Sequence, residues 1–126
     1  MSGLLLHGLF GLGGGLGALA RFVVTLRLTH RFPLSTLIVN VVGCLLLGIG
    51  IGWLPDPVHW HGREVSELLH GFCGGFTTFS SFAYQSLSLH RRFTVLYAAL
   101  NIVLSLALCL VALWLGLWMG RQLGMP

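Results

Sequence analysis

Residues 93–120 read FTVLYAALNIVLSLALCLVALWLGLWMG and contain no charged side chain. A helix of about 20 mainly apolar residues is long enough to cross the hydrocarbon core of a bilayer. The run does not alternate between polar and apolar residues, as the strand of a membrane barrel would. This stretch therefore predicts a membrane-spanning α-helix.

Three further stretches without charge lie upstream, at residues 1–20, 32–55 and 68–90, and the four stretches together hold 95 of the 126 residues. Only 8% of the chain is charged, against about 25% in soluble domains. This composition excludes a soluble globular domain and a disordered chain. The sequence predicts an all-α integral membrane protein, with a single transmembrane domain over residues 1–126. Its four spans are expected at roughly residues 4–26, 34–54, 65–89 and 93–119.

The charges of the loops bear on orientation in the membrane. Four spans joined by short loops place both termini on one side, together with Arg63 and Arg121. The other side carries Arg27, Arg31, Arg91 and Arg92. Orientation follows the excess of Lys and Arg on the cytoplasmic side, and this bias is small. We therefore expect insertion in both orientations, which would permit an antiparallel homodimer.

The third predicted span contains a poor helix-forming segment, Gly74-Gly75-Phe76-Thr77-Thr78. Glycine and threonine both lower helix propensity, so we predict a break near Gly74–Thr78. At membrane depth, non-helical backbone is tolerated where it is buried in protein or lines a cavity. Two interpretations follow. Ser and Thr hydroxyls close a simple kink, or the freed carbonyls coordinate a cation, as in the broken helices of transporters.

Other polar side chains fall inside the predicted spans. Asn40 lies in the middle of the second span, and Tyr97, Asn101 and Ser105 recur at intervals of four residues in the fourth. Such side chains either hydrogen-bond between helices or line a pathway for a polar solute. Phe79 and Phe82 are three residues apart, so they share a helix face. They either pack together or present the positive edges of their rings to an anion.

Small residues recur at a spacing of four, which lets membrane helices approach closely. The pairs are Gly11/Gly15, Gly13/Gly17, Gly48/Gly52 and Gly116/Gly120. Cys44, Cys73 and Cys109 have neither zinc-site nor disulfide-framework spacing, so we expect them to pack as small buried side chains.

The ionisable residues argue against enzyme or proton-coupled chemistry. The acids Asp56, Glu64 and Glu67 lie in or beside one loop, and the chain has no lysine. A proton-coupled transporter usually carries an ionisable residue at membrane depth, and no nucleophile–base pair is evident. Neutral Asn, Ser, Thr and Tyr donors suit a dehydrated small anion, so we expect a transport protein and not an enzyme.

Three segments together resemble one family over nearly the whole chain. They are residues 14–22 (GGLGALARF), 35–43 (STLIVNVVG) and 71–82 (GFCGGFTTFSSF). In order and spacing they are similar to the CrcB-type (Fluc) fluoride channels. The resemblance implies a dual-topology antiparallel homodimer in the cell (inner or plasma) membrane, with two fluoride pathways at its interface and passive fluoride efflux.

The resemblance also implies roles for individual residues. Asn40 matches the pore asparagine, and Phe79 and Phe82 match the phenylalanines whose ring edges meet fluoride. Further pathway positions are Thr78, Ser80, Ser81, Tyr97, Asn101 and Ser105.

Two other roles follow from the same match. Gly74 and Thr77 match positions whose backbone carbonyls hold a structural sodium ion at the dimer interface, and Arg21 matches an arginine in an aqueous vestibule. The chain departs from the family pattern at two points. Many relatives carry a Glu in the third span after the Thr-Thr-Phe-Ser run, where the nearby position here is Gln85, and a hydroxyl is more usual at Asn101.

Two other classes remain as alternatives. A small multidrug exporter is also a dual-topology four-span dimer, but it should carry a glutamate in its first span, and residues 1–20 contain no acid. The second alternative is a membrane assembly subunit without a transport role.

Overall fold

The computed structural model describes residues 3–28, 33–54 and 60–124. These ranges form five α-helices and contain no β-strand, so the all-α prediction is confirmed for them. Arg31 and Asp56 lie outside the described residues. The helices are α1 (Gly3–Arg27), α2 (Leu34–Trp53), α3 (Trp60–Phe76), α4 (Phe79–Arg92) and α5 (Val95–Gly124).

Three of these helices are long and apolar enough to cross a membrane, namely α1, α2 and α5. They cover the first, second and fourth predicted spans. The 30 residues of α5 correspond to a length of about 45 Å, which exceeds a hydrocarbon core of about 30 Å. Arginines stand in the last turns of α1 and α5, where a positive charge is favourable for the helix dipole.

The third predicted span, 65–89, falls on two helices. The 17 residues of α3 and the 14 residues of α4 correspond to lengths of about 25 and 21 Å. Each helix alone is therefore shorter than the hydrocarbon core. Thr77 and Thr78 separate them, and Thr78 has an extended backbone with φ −147° and ψ 120°.

Close glycine contacts join the helices in two pairs. In the first, α1 packs on α3, and a methyl group added at Gly17 or Gly75 would overlap the backbone of the other helix. In the second, α2 packs on α5, with the same close approach at Gly48 and Gly116. Gly13, Gly52 and Gly120 behave likewise, which confirms three of the predicted small-residue pairs.

The fourth predicted pair, Gly11/Gly15, makes no close contact with another helix of the chain. A Cβ at Gly11 or Gly15 would meet nothing within 4 Å, because this face of α1 points away from the other helices of the chain. Glycine spacing by itself does not distinguish the two faces.

The interior of the bundle combines glycines with a few other apolar and polar residues. Within the described ranges the buried apolar residues other than glycine are Val39, Cys73, Phe76, Leu89 and Ala112. The buried polar residues are Ser35, Thr36, Thr78, Gln85, Ser86 and Ser105. Large apolar side chains cover the outer surface instead, as expected where lipid is the solvent.

Candidate functional site

The side-chain amide of Asn40 holds both backbone groups of Thr78 between α3 and α4. The Thr78 N–H donates to Asn40 Oδ1 at 2.8 Å, and Asn40 Nδ2 donates to the Thr78 carbonyl at 3.1 Å. In a continuous helix the Thr78 N–H would instead donate to the Gly74 carbonyl. Asn40 thus replaces a helical hydrogen bond and ties the middle of α2 to the interruption.

Hydroxyl groups complete the start of α4. The Thr78 side chain is the N-cap, and its Oγ1 accepts from the Ser81 backbone N–H at 3.2 Å. The same oxygen contacts Ser80 Oγ at 3.3 Å and donates to Ser81 Oγ at 3.2 Å. The predicted hydroxyls Thr78, Ser80 and Ser81 therefore form one cluster at the start of α4, where the Thr78 side chain caps the helix.

A groove of about 480 Å³, here called the central groove, runs past Asn40. It brings together most of the predicted pathway and ion-binding residues, which are Asn40, Gly74, Thr77, Thr78, Phe79, Phe82 and Ser105. The Phe79 and Phe82 rings are tilted by 51° with centroids 5.8 Å apart. Phe82 is half-buried, whereas Phe79 is 79% exposed, so one wall of the groove is unpartnered in a single chain.

A second cavity of about 840 Å³, the arginine cavity, lies on the other side of Thr78. It is lined by Arg21, Ser80 and Ser81 among others, and Thr78 lines both cavities. Arg21 Nη1 donates to the Thr77 carbonyl at 3.2 Å. This contact places a permanent positive charge beside the interruption, at the arginine cavity.

Comparison with known proteins identifies the family. The family model described as CrcB-like protein, Camphor Resistance (CrcB), matches residues 8–117. The chain belongs to the CrcB-like family. A relative from Azobacteroides pseudotrichonymphae is 41% identical over 104 residues, covering 75% of this chain and 82% of the relative. A relative from Pyrococcus abyssi is 43% identical over 99 residues, covering 73% and 76%. Both relatives are named fluoride-specific ion channel FluC.

In this CrcB-like chain the polar residues of α5 do not share one environment. Ser105 is buried and lines the central groove. Asn101 is half-buried and donates from Nδ2 to Ser86 Oγ at 3.0 Å. Tyr97 is 55% exposed and contacts the Phe93 ring, with centroids 5.3 Å apart. Neither Tyr97 nor Asn101 lines one of the two cavities. Of these three residues of α5, only Ser105 reaches the central groove.

Sequence reasoning missed two buried hydroxyls in the CrcB-like fold. Thr36 Oγ1 accepts from Gln85 Nε2 at 2.7 Å, beside the arginine cavity. Ser86 accepts from Asn101 and donates to the Phe82 carbonyl at 3.0 Å. Helical spacing could have indicated both hydroxyls. Thr36 lies four residues before Asn40 and Ser86 lies four residues after Phe82, so each shares a helix face with a predicted pathway residue.

The backbone near the interruption has features that fit a cation. The Thr78 N–H is diverted from the Gly74 carbonyl to Asn40, and a Cβ at Gly74 would meet nothing within 4 Å. The Thr77 carbonyl accepts from Arg21 and retains its second lone pair. Hard cations such as Ca²⁺ and Mg²⁺ take about six or more oxygen ligands. The two carbonyls that this chain offers here are fewer than such a ligand set.

Proposed function

We propose that this chain forms a fluoride-selective channel that lets fluoride leave the cell passively across the inner or plasma membrane. The observation that carries the proposal is the donor set of the central groove in a chain about 40% identical to named fluoride channels. Asn40 and Ser105 offer neutral donors there, because Asn40 Nδ2 has a second hydrogen besides the one donated to Thr78. The described residues of the groove lining include no carboxylate and no lysine.

The energetics of a small anion explain why neutral donors suit this task. Moving a carboxylate-sized ion into a medium of low dielectric costs on the order of 20 kcal/mol by the idealised Born estimate. Fluoride is smaller, so its cost is larger. Amide and hydroxyl hydrogens and the positive ring edges of Phe79 and Phe82 replace the lost water. None of them carries a full charge that would trap the ion.

Arg21 has a different task in this scheme. Its guanidinium lines the arginine cavity and donates to the backbone carbonyl of Thr77. A positive charge in a water-filled vestibule raises the local concentration of anions. Ser80 and Ser81, which line the same cavity, extend the donor path from the vestibule to Thr78.

Two chains are needed for a closed pathway, and we propose that they pair as an antiparallel homodimer with two pathways at the interface. In this arrangement α3 and α4 form one interrupted membrane crossing. The exposed Phe79 ring and the open space at Gly74 support pairing along this face. A sodium ion would be held by the Gly74 and Thr77 carbonyls of both chains and would supply a fixed positive charge that stabilises the interface.

A bulky side chain at Gly74 should prevent pairing. We expect Gly74→Leu to retain its helical circular dichroism, because the space around this Cα is open within one chain, but to elute as a monomer. The wild-type dimer should contain one sodium ion per pair of chains by elemental analysis. Gly8→Leu, also at a glycine with nothing within 4 Å, is the matched control and should remain dimeric. A dimeric Gly74→Leu variant would contradict this interface.

Fluoride efflux from liposomes tests the function itself. Purified protein is reconstituted, a potassium ionophore is added, and a fluoride electrode follows release, with chloride measured in parallel. We expect rapid fluoride release and little chloride release. Equal release of both anions would contradict selectivity. No release above protein-free liposomes from a folded dimer would favour the alternative of a non-transporting assembly subunit.

The exporter alternative has less support. Such a protein needs an acidic residue in its first span to exchange protons for substrate, and α1 contains none.

A further inference from the structure

Three cysteines from three different helices line the central groove. Cys44 lies in α2, Cys73 in α3 and Cys109 in α5, and all three are free thiols. Cys73 is buried, at 3% exposure, in agreement with a packing role. Cys44 and Cys109 are only partly buried, so packing alone does not account for their position at the groove.

Cys44 and Cys109 are neighbours across the α2–α5 contact. The Cys109 thiol is within side-chain hydrogen-bonding reach of Cys44. Cys44 stands one turn before Gly48, whose backbone approaches α5 so closely that a methyl group would not fit. The glycine contact therefore holds the two helices at a separation at which small side chains meet. Both residues also line the central groove.

We propose that Cys44 and Cys109 form a two-thiolate binding site for a soft divalent metal ion, for which Hg²⁺ is the probe. Sulfur ligands select soft metal ions over hard ones. On binding, each thiol releases its proton to water, and two S–Hg bonds form. Two thiolates and one divalent ion give a neutral complex, which is the least costly state in a medium of low dielectric. No oxidation or reduction is involved.

The third cysteine does not complete a larger site. Within the described ranges, no group of three or more His, Cys, Asp or Glu side chains converges as metal ligands. Cys73 belongs to α3 and is only 3% exposed, whereas the Cys44–Cys109 pair bridges α2 and α5. Two-coordinate binding through the pair is thus the geometry that the thiols offer.

An ion at this pair would lie in the same groove as Asn40 and Ser105. If the groove conducts fluoride, the bound metal occupies space in the path, so release should fall. This second consequence rests on the proposed function, whereas metal binding by the two thiols does not.

Thiol protection tests the site directly. Purified protein receives one equivalent of Hg²⁺ per chain, is unfolded, and is labelled with a maleimide, and the labelled cysteines are mapped by mass spectrometry. We expect Cys44 and Cys109 to be protected together, and Cys73 to be labelled. Cys73→Ala should show the same protection. In Cys44→Ser and in Cys109→Ser, the remaining thiol of the pair should bind Hg²⁺ more weakly. A low concentration of a monothiol competitor should then remove the metal from each variant, whereas the wild-type pair should stay protected at the same concentration.

Protection of Cys73, or a need for two equivalents of Hg²⁺ to protect Cys44 and Cys109, would overturn the paired site.

In liposomes, Hg²⁺ should slow fluoride release by the wild type and by Cys73→Ala, with recovery on adding dithiothreitol. The Cys44→Ser/Cys109→Ser double variant should release fluoride at the same rate with and without Hg²⁺. If Hg²⁺ protects Cys44 and Cys109 together but does not slow fluoride release, the metal site does not lie in the fluoride path. If wild-type liposomes release no fluoride at all, the proposed function fails and the protection result still decides the site.

Discussion

Asn40→Asp is expected to abolish fluoride flux. The change places a negative charge in the central groove beside Thr78, on the fluoride path proposed above. At a separation of about 4 Å and an effective dielectric of about 20, two like charges repel by about 4 kcal/mol, which corresponds to about three orders of magnitude in rate. The variant also loses the donor that now reaches the Thr78 carbonyl at 3.1 Å. Liposome efflux with a fluoride electrode measures the loss.

Gln85→Glu is the matched control, because it makes the same amide-to-carboxylate change at another buried position. Gln85 lines the arginine cavity and donates to Thr36 Oγ1. The Thr36 hydroxyl can reverse its role and donate to a carboxylate, so the local pairing survives. We expect this variant to retain most of its flux. Undiminished flux in Asn40→Asp, or equal losses in both variants, would remove Asn40 from the path.

Gly75→Ala is expected to destabilise the fold strongly. A methyl group at this position would overlap the backbone of Gly14 in α1. Backbone atoms cannot rotate away as a side chain can, so α1 and α3 must separate. Overpacking of this kind costs about 1–3 kcal/mol, and occasionally more. Thermal unfolding in detergent, followed by circular dichroism, should show a lower midpoint and poorer recovery of folded protein.

Gly11→Ala supplies the comparison within the same helix pair. No atom of the chain lies within 4 Å of the added methyl group, and alanine favours a helix over glycine by about 1 kcal/mol. The midpoint of this variant should be equal to that of the wild type or higher. If Gly75→Ala unfolds at the same temperature as Gly11→Ala, the close α1–α3 contact does not contribute to stability.

Much of the helical architecture is predictable because it depends on local composition. Charge-free runs of sufficient length predicted the positions of α1, α2 and α5, since a long apolar segment can satisfy its backbone in lipid only as a helix. Glycine spacing also predicted the residues at the α2–α5 contact. The same spacing predicted both glycine pairs of α1 equally, although only Gly13 and Gly17 meet another helix.

The candidate site was only partly accessible in this way. The poor helix formers around Thr77 and Thr78 drew attention to that segment, and the family resemblance supplied the roles of Asn40 and the phenylalanines. Nothing local in the sequence paired Asn40 with Thr78 or Gln85 with Thr36. Asn101 lies at the same four-residue spacing as Tyr97 and Ser105, but its amide donates to Ser86 and it lines neither cavity.

The sequence by itself determined that this protein is helical and suited to a membrane, and its glycine spacing indicated helix faces that can pack closely. Those properties follow from the length, polarity and spacing of neighbouring residues. Tertiary structure alone decided that Asn40 replaces a helical hydrogen bond at Thr78 and that Thr78 stands between two cavities. It also decided that Cys44 meets Cys109. These contacts join helices that are far apart along the chain, so they exist only once helix packing has brought their side chains together.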